Sequence, residues 1–328
     1  MNFNPETFIK KIFSNITNFD ELALQLFAFQ FKNNDVFHKY ITGLNIRNEI
    51  NKADEIPFLP IDFFKSHEVI SGTFKFEKIF TSSGTTGTIT SKHFVKNIAL
   101  YETDFKEAFQ LFYGDVKDYC ILALLPSYLE REGSSLVYMF EDLIKTSRHS
   151  LSDFYLQDFE KLKQTLVLLK SRKQKTILVG VTFALLDFAE KLKIDFPELI
   201  VMETGGMKGK RKEMVREEVH QILRKSFGVS SIHSEYGMTE LLSQAYSKGD
   251  GKFNCPPWMK IVITDANDPF QILPDGKSGI INIIDLANIY SCAFIKTADV
   301  GVKFSDNSFE VLGRLDNSDL RGCSLMYF

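Results

Sequence analysis

A chain of 328 residues with 44% hydrophobic content has apolar material for one large or two modest cores, and a net charge of −3 with a pI near 6.1 provides no basic field to draw it to nucleic acid. Residues 1–10 lack the basic-then-apolar pattern of a secretory signal, and no stretch approaches the roughly 20 apolar residues of a membrane span, so a cytoplasmic protein without a spanning segment is expected. Cys120, Cys255, Cys292 and Cys323 form no C-x-x-C pair, and the six His do not cluster with them at ligand spacing, which argues against a disulfide framework and a structural zinc site.

Up to about residue 55, apolar positions such as Phe8, Ile12, Leu22, Leu26, Phe37 and Ile41 recur at helical intervals and predict a helical N-terminal region, 1–55. Ile56-Pro-Phe-Leu-Pro60 ends it, because each Pro disfavours helix in the residue before it. Beyond Phe76, short apolar runs alternate with helical patterns: a strand at 119–125 then a helix at 135–144, a strand at 176–180 then a helix at 183–192, a strand at 199–202 then a helix at 208–227, and a strand at 229–233. Near-continuous apolar strands between helices predict a mainly parallel α/β sheet. After Ser247 the runs at 260–264, 279–284, 289–296 and 308–312 are separated by turn residues such as Asp275-Gly276 and Asp306-Asn307, which predicts a strand-rich final third.

The sharpest local signal is Thr81-Ser82-Ser83-Gly84-Thr85-Thr86-Gly87, after the aromatic stretch ending at Phe80. Two Gly let the backbone turn its N–H groups inward, and the Ser and Thr hydroxyls line the same concavity, a combination suited to phosphate oxygens. A solvated Ser/Thr/Gly turn would read the same way in isolation. Neither G-x-x-x-x-G-K-[ST] nor G-x-G-x-x-G occurs, which disfavours a P-loop NTPase or a Rossmann dehydrogenase. Ser234-Glu235-Tyr236-Gly237-Met238-Thr239-Glu240 offers a ring face, a hydroxyl and a carboxylate within a few residues, after an expected strand. Such a set can stack a base, reach a phosphate and hold Mg²⁺. Glu203-Thr-Gly-Gly206, with its Gly205-Gly206 pair, is a tight turn between the two.

The order Ser-Gly-Thr-Thr-Gly followed by Lys92 resembles the phosphate loop of the adenylate-forming superfamily, which includes acyl-CoA synthetases and firefly-type luciferases. The resemblance implies an ATP site with Mg²⁺ as cofactor. It assigns adenine stacking to Tyr236 beside Gly237, an α-phosphate contact to Thr239 and metal binding to Glu240. It makes Gly205 and Gly206 an adenine-side turn. Thr297-Ala-Asp299-Val-Gly301 is similar to the segment whose Asp binds the ribose, with Ala298 where the usual residue is Gly. Gly313-Arg314-Leu-Asp316 is similar to the element whose Arg approaches ribose or phosphate and whose Asp opens a hinge. The adenylation core then runs 56–316 and leaves 317–328 as a tail, so the expected fold is the α/β large domain of an adenylate-forming enzyme without the complete small C-terminal domain.

Arg321-Gly322 after this element resembles the phenylacetate-CoA ligase pattern. The helical preface and Ile56-Pro-Phe-Leu-Pro-Ile-Asp-Phe-Phe-Lys65 leading into the loop look like the acyl-protein synthetases of bacterial bioluminescence. That group hands its adenylate to a Cys near the C-terminus and feeds a partner, an acyl-reductase or acyl-transferase. Cys323 stands at the corresponding kind of position, either as acyl acceptor or as a buried structural Cys. On this resemblance Lys92, Thr239, Glu240 and Cys323 are the catalytic set and a small carboxylic acid, of the fatty type, is the substrate. A phenylacetate-type acyl-CoA ligase and a non-catalytic binder of acyl groups or nucleotides remain the alternatives.

Overall fold

The computed structural model describes residues 3–14, 16–45, 50–82, 89–126, 133–156, 158–205 and 214–315. Its contacts divide the chain into two units. The first comprises residues 1–101, 239–243 and 254–328, and the second residues 102–238 and 244–253.

The first unit opens with the expected helices, Pro5–Phe13, Phe19–Asn33 and Asp35–Gly43. Each starts at an Asn, and the side chains of Asn4, Asn18 and Asn34 accept the backbone N–H of Thr7, Glu21 and Phe37 at 3.1, 3.1 and 2.9 Å. Caps of this kind satisfy N–H groups that the first helical turn leaves unpaired. The helices pack on an antiparallel sheet of Met259–Thr264, Ser278–Asp285, Phe294–Lys303 and Phe309–Arg314. Phe37 stacks on Phe294 with ring centres 5.9 Å apart, and Phe27 meets the same ring edge-on. Gln30 is fully buried in the second helix, where it donates to the Asn288 and Ile289 carbonyls at 2.9 and 3.0 Å and accepts from Ala293 N–H at 2.9 Å. A buried amide with its groups paired fixes the helix against the 285–293 turn. Leu59–Pro60 adds a short parallel pairing to Ile295 and Lys296.

The second unit holds the parallel sheet. Asp153–Phe154, Cys120–Leu124, Thr176–Val181, Ile200–Thr204 and His233–Tyr236 lie side by side in that order, all parallel. Cys120–Leu124 and Thr176–Val181 are buried at every position, as strands covered on both faces by crossover helices must be. The helices are Ser135–Ser147, Phe159–Ser171, Thr182–Ala189 and Arg216–Phe227.

Three expected boundaries move. The strand expected at 229–233 is His233–Tyr236, because Gly228 at φ 68° caps the preceding helix and residues 229–232 are spent on the turn back to the sheet. The run expected at 289–296 starts at Phe294 and continues to Lys303, which carries Thr297 to Gly301 into the sheet. The helix expected from 208 begins at Arg216; residues 208–213 lie outside the described ones. In the 294–303 strand the pairing register shifts between Val300 and Gly301. A Cβ at Gly301 would overlap the Glu310 carbonyl and the Ile281 side chain, so the close approach of strands there requires glycine.

Candidate active site

The expected phosphate loop springs from a ribbon in the first unit. Lys78–Thr81 pairs antiparallel with Lys92–Val95, and Thr81 faces Lys92 across the ribbon. Ser82 N–H donates to the Ser91 carbonyl at 3.1 Å, and Ser91 N–H donates to Ser82 Oγ at 2.9 Å. The mouth of the loop is thus pinned by two serines. Ser83, Gly84, Thr85, Thr86 and Gly87 lie outside the described residues, whereas Lys92 is exposed at the base of the loop.

Thr239 to Ser243 belong to the same unit and are gripped from two directions. His93, on the second ribbon strand and 2% exposed, places Nδ1 2.8 Å from the Thr239 carbonyl. Asn288 donates to the Glu240 carbonyl at 2.8 Å and to the Cys292 carbonyl at 2.9 Å. Asp285, fully buried, accepts the N–H groups of Leu242 and Ser243 at 2.9 and 3.0 Å, the Ser243 hydroxyl at 2.6 Å and Ala287 N–H at 3.1 Å. Burial raises the Asp285 carboxyl above the usual range, and those hydrogen bonds oppose the rise.

Glu240 is 5% exposed, and burial holds its carboxyl above the usual range. A hydrogen bond from Ser91, its own backbone N–H and the charges of Arg314 and Lys65 favour the ionised form. A carboxylate held in a desolvated place beside a loop mouth is a ready donor for a hard cation.

Asp299 and Arg314 face one another across the 294–303 and 309–314 strands, with Nε 3.9 Å from the nearer carboxylate oxygen. Thr297 Oγ1 donates to the Ile281 carbonyl at 2.7 Å and accepts Asp299 N–H at 3.0 Å, which fixes the backbone carrying Asp299. Asp316 lies outside the described residues.

In the second unit, Glu203–Thr204–Gly205 and Ser234–Glu235–Tyr236 run side by side at the carboxyl ends of neighbouring parallel strands, the end of an open α/β sheet where ligands bind. Glu203 is buried and accepts from the Thr182 and Ser234 hydroxyls at 2.7 and 2.8 Å. Burial works to raise its carboxyl, yet His220, with Nε2 3.8 Å away, the hydrogen bonds from Thr182 and Ser234 and the Arg216 charge bring it below the usual range. Thr204 Oγ1 donates to Glu235 at 2.6 Å. Gly205 turns the chain at φ 71°, a conformation that favours glycine, and a Cβ at Gly237 would come 2.5 Å from a Glu235 side-chain oxygen, which would have to shift. The Tyr236 ring lies 5.8 Å from that of Phe253, over which Arg216 sits at 5.4 Å. Gly206 lies outside the described residues.

Ser91, His93, Asp285 and Asn288 were not singled out by the sequence. Ser91 and His93 flank Lys92 and could have been found as its neighbours; Asp285 and Asn288 carry no local signal. Of the cysteines, burial raises Cys120 to about 11 and Cys292 to about 12, and burial with the Asp285 charge pushes Cys255 up as well. Cys323 lies outside the described residues. Among the described residues there is no group of three or more His, Cys, Asp and Glu placed to hold a metal, and no helix long and apolar enough to cross a membrane.

A buried and a half-buried histidine, His93 and His233, set an acid limit on stability. Burial lowers both His93 and His233 to about 4. Above pH 6.5 neither ring is charged, folded or unfolded. Between 6.5 and about 4 the unfolded chain takes up protons that the folded chain refuses, so stability falls with acid, by about 2 kcal/mol per ring at pH 5. The urea midpoint should therefore drop between pH 7 and pH 5, and His233→Asn should remove its share of the drop. An unchanged slope in that variant would refute the assignment.

The acyl-protein synthetase family model, LuxE, matches residues 134–327. The long-chain-fatty-acid–luciferin-component ligase of Aliivibrio fischeri is 23% identical over 333 residues, covering 93% of this chain and 86% of that protein. The corresponding Vibrio harveyi ligase is 23% identical over 323 residues, covering 91% and 84%. Among solved structures, 2-hydroxyisobutyryl-CoA ligase in complex with 2-HIB-AMP and CoA superposes with a TM-score of 0.67 at 12% identity, over 96% of this chain and 70% of that one. ATP-bound MatB from Rhodopseudomonas palustris gives a TM-score of 0.55 at 17% identity over 72% of this chain, and this chain spans about half of MatB, 47%. The fold is that of the large domain of adenylate-forming ligases, as the motifs implied.

Proposed function

This chain belongs to the LuxE acyl-protein synthetase family, and on that premise we propose that it uses ATP and Mg²⁺ to convert a long-chain fatty acid to its acyl-adenylate and then passes the acyl group to the Cys323 thiol. The observation that supports the adenylation half best is Glu240, a buried carboxylate hydrogen-bonded by Ser91 at the mouth of the hydroxyl-rich loop. Its two relatives named for long-chain fatty acids support the choice of acid.

In this reading a carboxylate oxygen of the acid attacks the α-phosphorus, the bond from that phosphorus to the bridging oxygen breaks, and pyrophosphate leaves. No general base is required, because the nucleophile is already an anion. Mg²⁺ supplies neutralisation of phosphate charge, and one buried carboxylate plus phosphate oxygens is an ordinary donor set for it. The chain's own contribution is positioning and electrostatics. The residues of 81–87 and Lys92 bind the departing phosphates, Thr239 the α-phosphate and Glu240 the metal. Tyr236 stacks on adenine above the Gly205-Gly206 turn, while Asp299 and Arg314 take the ribose side. The Cys323 thiolate then attacks the acyl carbon and AMP leaves. Support for Cys323 comes from the other three thiols, which burial makes poor nucleophiles, and from its place inside the family match. An acyl-enzyme implies a partner protein that reduces or transfers the acyl group, and the need for ATP places the reaction in the cytoplasm. Residues 56–316 form the adenylation core in this proposal, after the helical region 1–55 and before the acceptor tail 317–328.

The expected result is exchange of labelled pyrophosphate into ATP that depends on a long-chain acid and Mg²⁺, with shorter acids weaker. No exchange with any carboxylic acid would reduce the chain to a binding protein. Acyl-CoA formation on addition of coenzyme A, with no acylated protein, would instead favour the ligase alternative.

A further inference from the structure

We infer that His93, together with Asn288, is a positioning residue for adenylation, tying the Thr239–Glu240 turn to the ribbon that carries the phosphate loop. This rests on the adenylation reading above.

The ribbon reaches the turn twice. Ser91 hydrogen-bonds the Glu240 carboxylate, and two residues along the same chain His93 reaches the Thr239 carbonyl at 2.8 Å. A carbonyl oxygen only accepts, so Nδ1 carries the proton and the ring is fixed in one tautomer. Asn288 takes the next carbonyl of the same turn. Both amide protons of Asn288 are engaged by the Glu240 and Cys292 carbonyls, which leaves its position no freedom. Phe64 meets the imidazole edge-on with centres 6.0 Å apart, and all three side chains are buried. From the far side Asp285 holds Leu242 and Ser243 by their N–H groups.

The turn is therefore clamped by its carbonyls on the His93 side and by its N–H groups on the Asp285 side. Releasing the His93 link leaves Thr239 and Glu240 attached to the 285–288 turn and tied to the ribbon of the loop by Ser91 alone. Their reactive groups then keep their chemistry and lose their place relative to the phosphates that the loop binds. Misplacement by about 1 Å costs a rate factor of up to roughly 100 when the reaction depends on alignment. A histidine that served packing alone would lose stability on replacement without changing how tightly the metal complex is held.

The test uses the full-length chain and compares His93→Phe, which fills the space without a donor, with His93→Asn, which keeps an N–H close to the place of Nδ1. Ser91→Ala removes the ribbon's other link to Glu240. Acid-dependent pyrophosphate exchange is measured per folded molecule, from a thermal melt, across a Mg²⁺ titration. His93→Phe should lower kcat/KM for ATP about 10- to 100-fold and raise the Mg²⁺ concentration needed for half-maximal exchange. His93→Asn should recover much of both, and Ser91→Ala should shift the Mg²⁺ requirement in the same direction. If His93→Phe exchanges with the wild-type Mg²⁺ dependence, or if its loss follows only the folded fraction, the inference falls. Wild-type protein that shows no exchange with any acid would overturn the adenylation reading and this inference with it.

Discussion

Glu240→Gln should abolish most of the adenylation activity while leaving the protein at least as stable as wild type in magnesium-free buffer. The two halves of that expectation have one origin. Glu240 is 5% exposed, and burial raises its carboxyl above the usual range. A carboxyl whose folded pKa is raised opposes folding at pH values above its unfolded pKa, since the ionised form is the one that burial penalises, and the opposition fades as pH falls. Gln removes the charge at nearly constant volume, so the penalty disappears and the melting temperature should hold or rise. The same charge is what the metal needs. Without it the phosphate charge is left uncompensated at a desolvated site, and removing one such electrostatic partner lowers kcat by about 100- to 1000-fold. Pyrophosphate exchange and a melt, run on the same preparation, check both. A variant that turns over like wild type would move the metal to another residue. A variant that loses activity in proportion to its folded fraction would make Glu240 structural.

Cys323→Ser should separate the two half-reactions. With ATP and a radiolabelled fatty acid, wild-type protein should carry label that hydroxylamine removes, as a thioester requires, and the variant should carry none while exchanging pyrophosphate at close to the wild-type rate. The nucleotide motifs build the mixed anhydride, and a thiolate intercepts it afterwards, so the acceptor can be deleted without touching the first step. Serine is no substitute, because its hydroxyl is not ionised near neutral pH, whereas an ordinary thiol is partly so. Label retained by Cys323→Ser would move the acceptor to Cys120, Cys255 or Cys292. Each of these is held up by burial, which is why that outcome is not expected.

The parallel sheet, the helical preface and the family are legible in the order of residues. Strands such as Cys120–Leu124 and Thr176–Val181 are legible because burial on both faces demands an unbroken apolar run. The turns at Asp275-Gly276 and Asp306-Asn307 are legible because Gly276 and Asn307 take the left-handed conformation that those residue types tolerate, at φ 82° and 65°. Motif residues such as Tyr236, Glu240 and Asp299 show themselves by local order, and local order survives in a string of letters. Tertiary structure alone decided the rest. Lys92–Val95 has no alternation of its own and is a strand because Lys78–Thr81 pairs with it. Thr297 to Gly301 lie within a strand because the neighbours on both sides extend past the apolar run at 294–295. His93, Asp285 and Asn288 matter through carbonyls and N–H groups of residues 239–243, some 40 to 150 positions away along the chain. Those contacts are made to the backbone, which every residue possesses, so no spacing or residue type at the receiving end could have announced them.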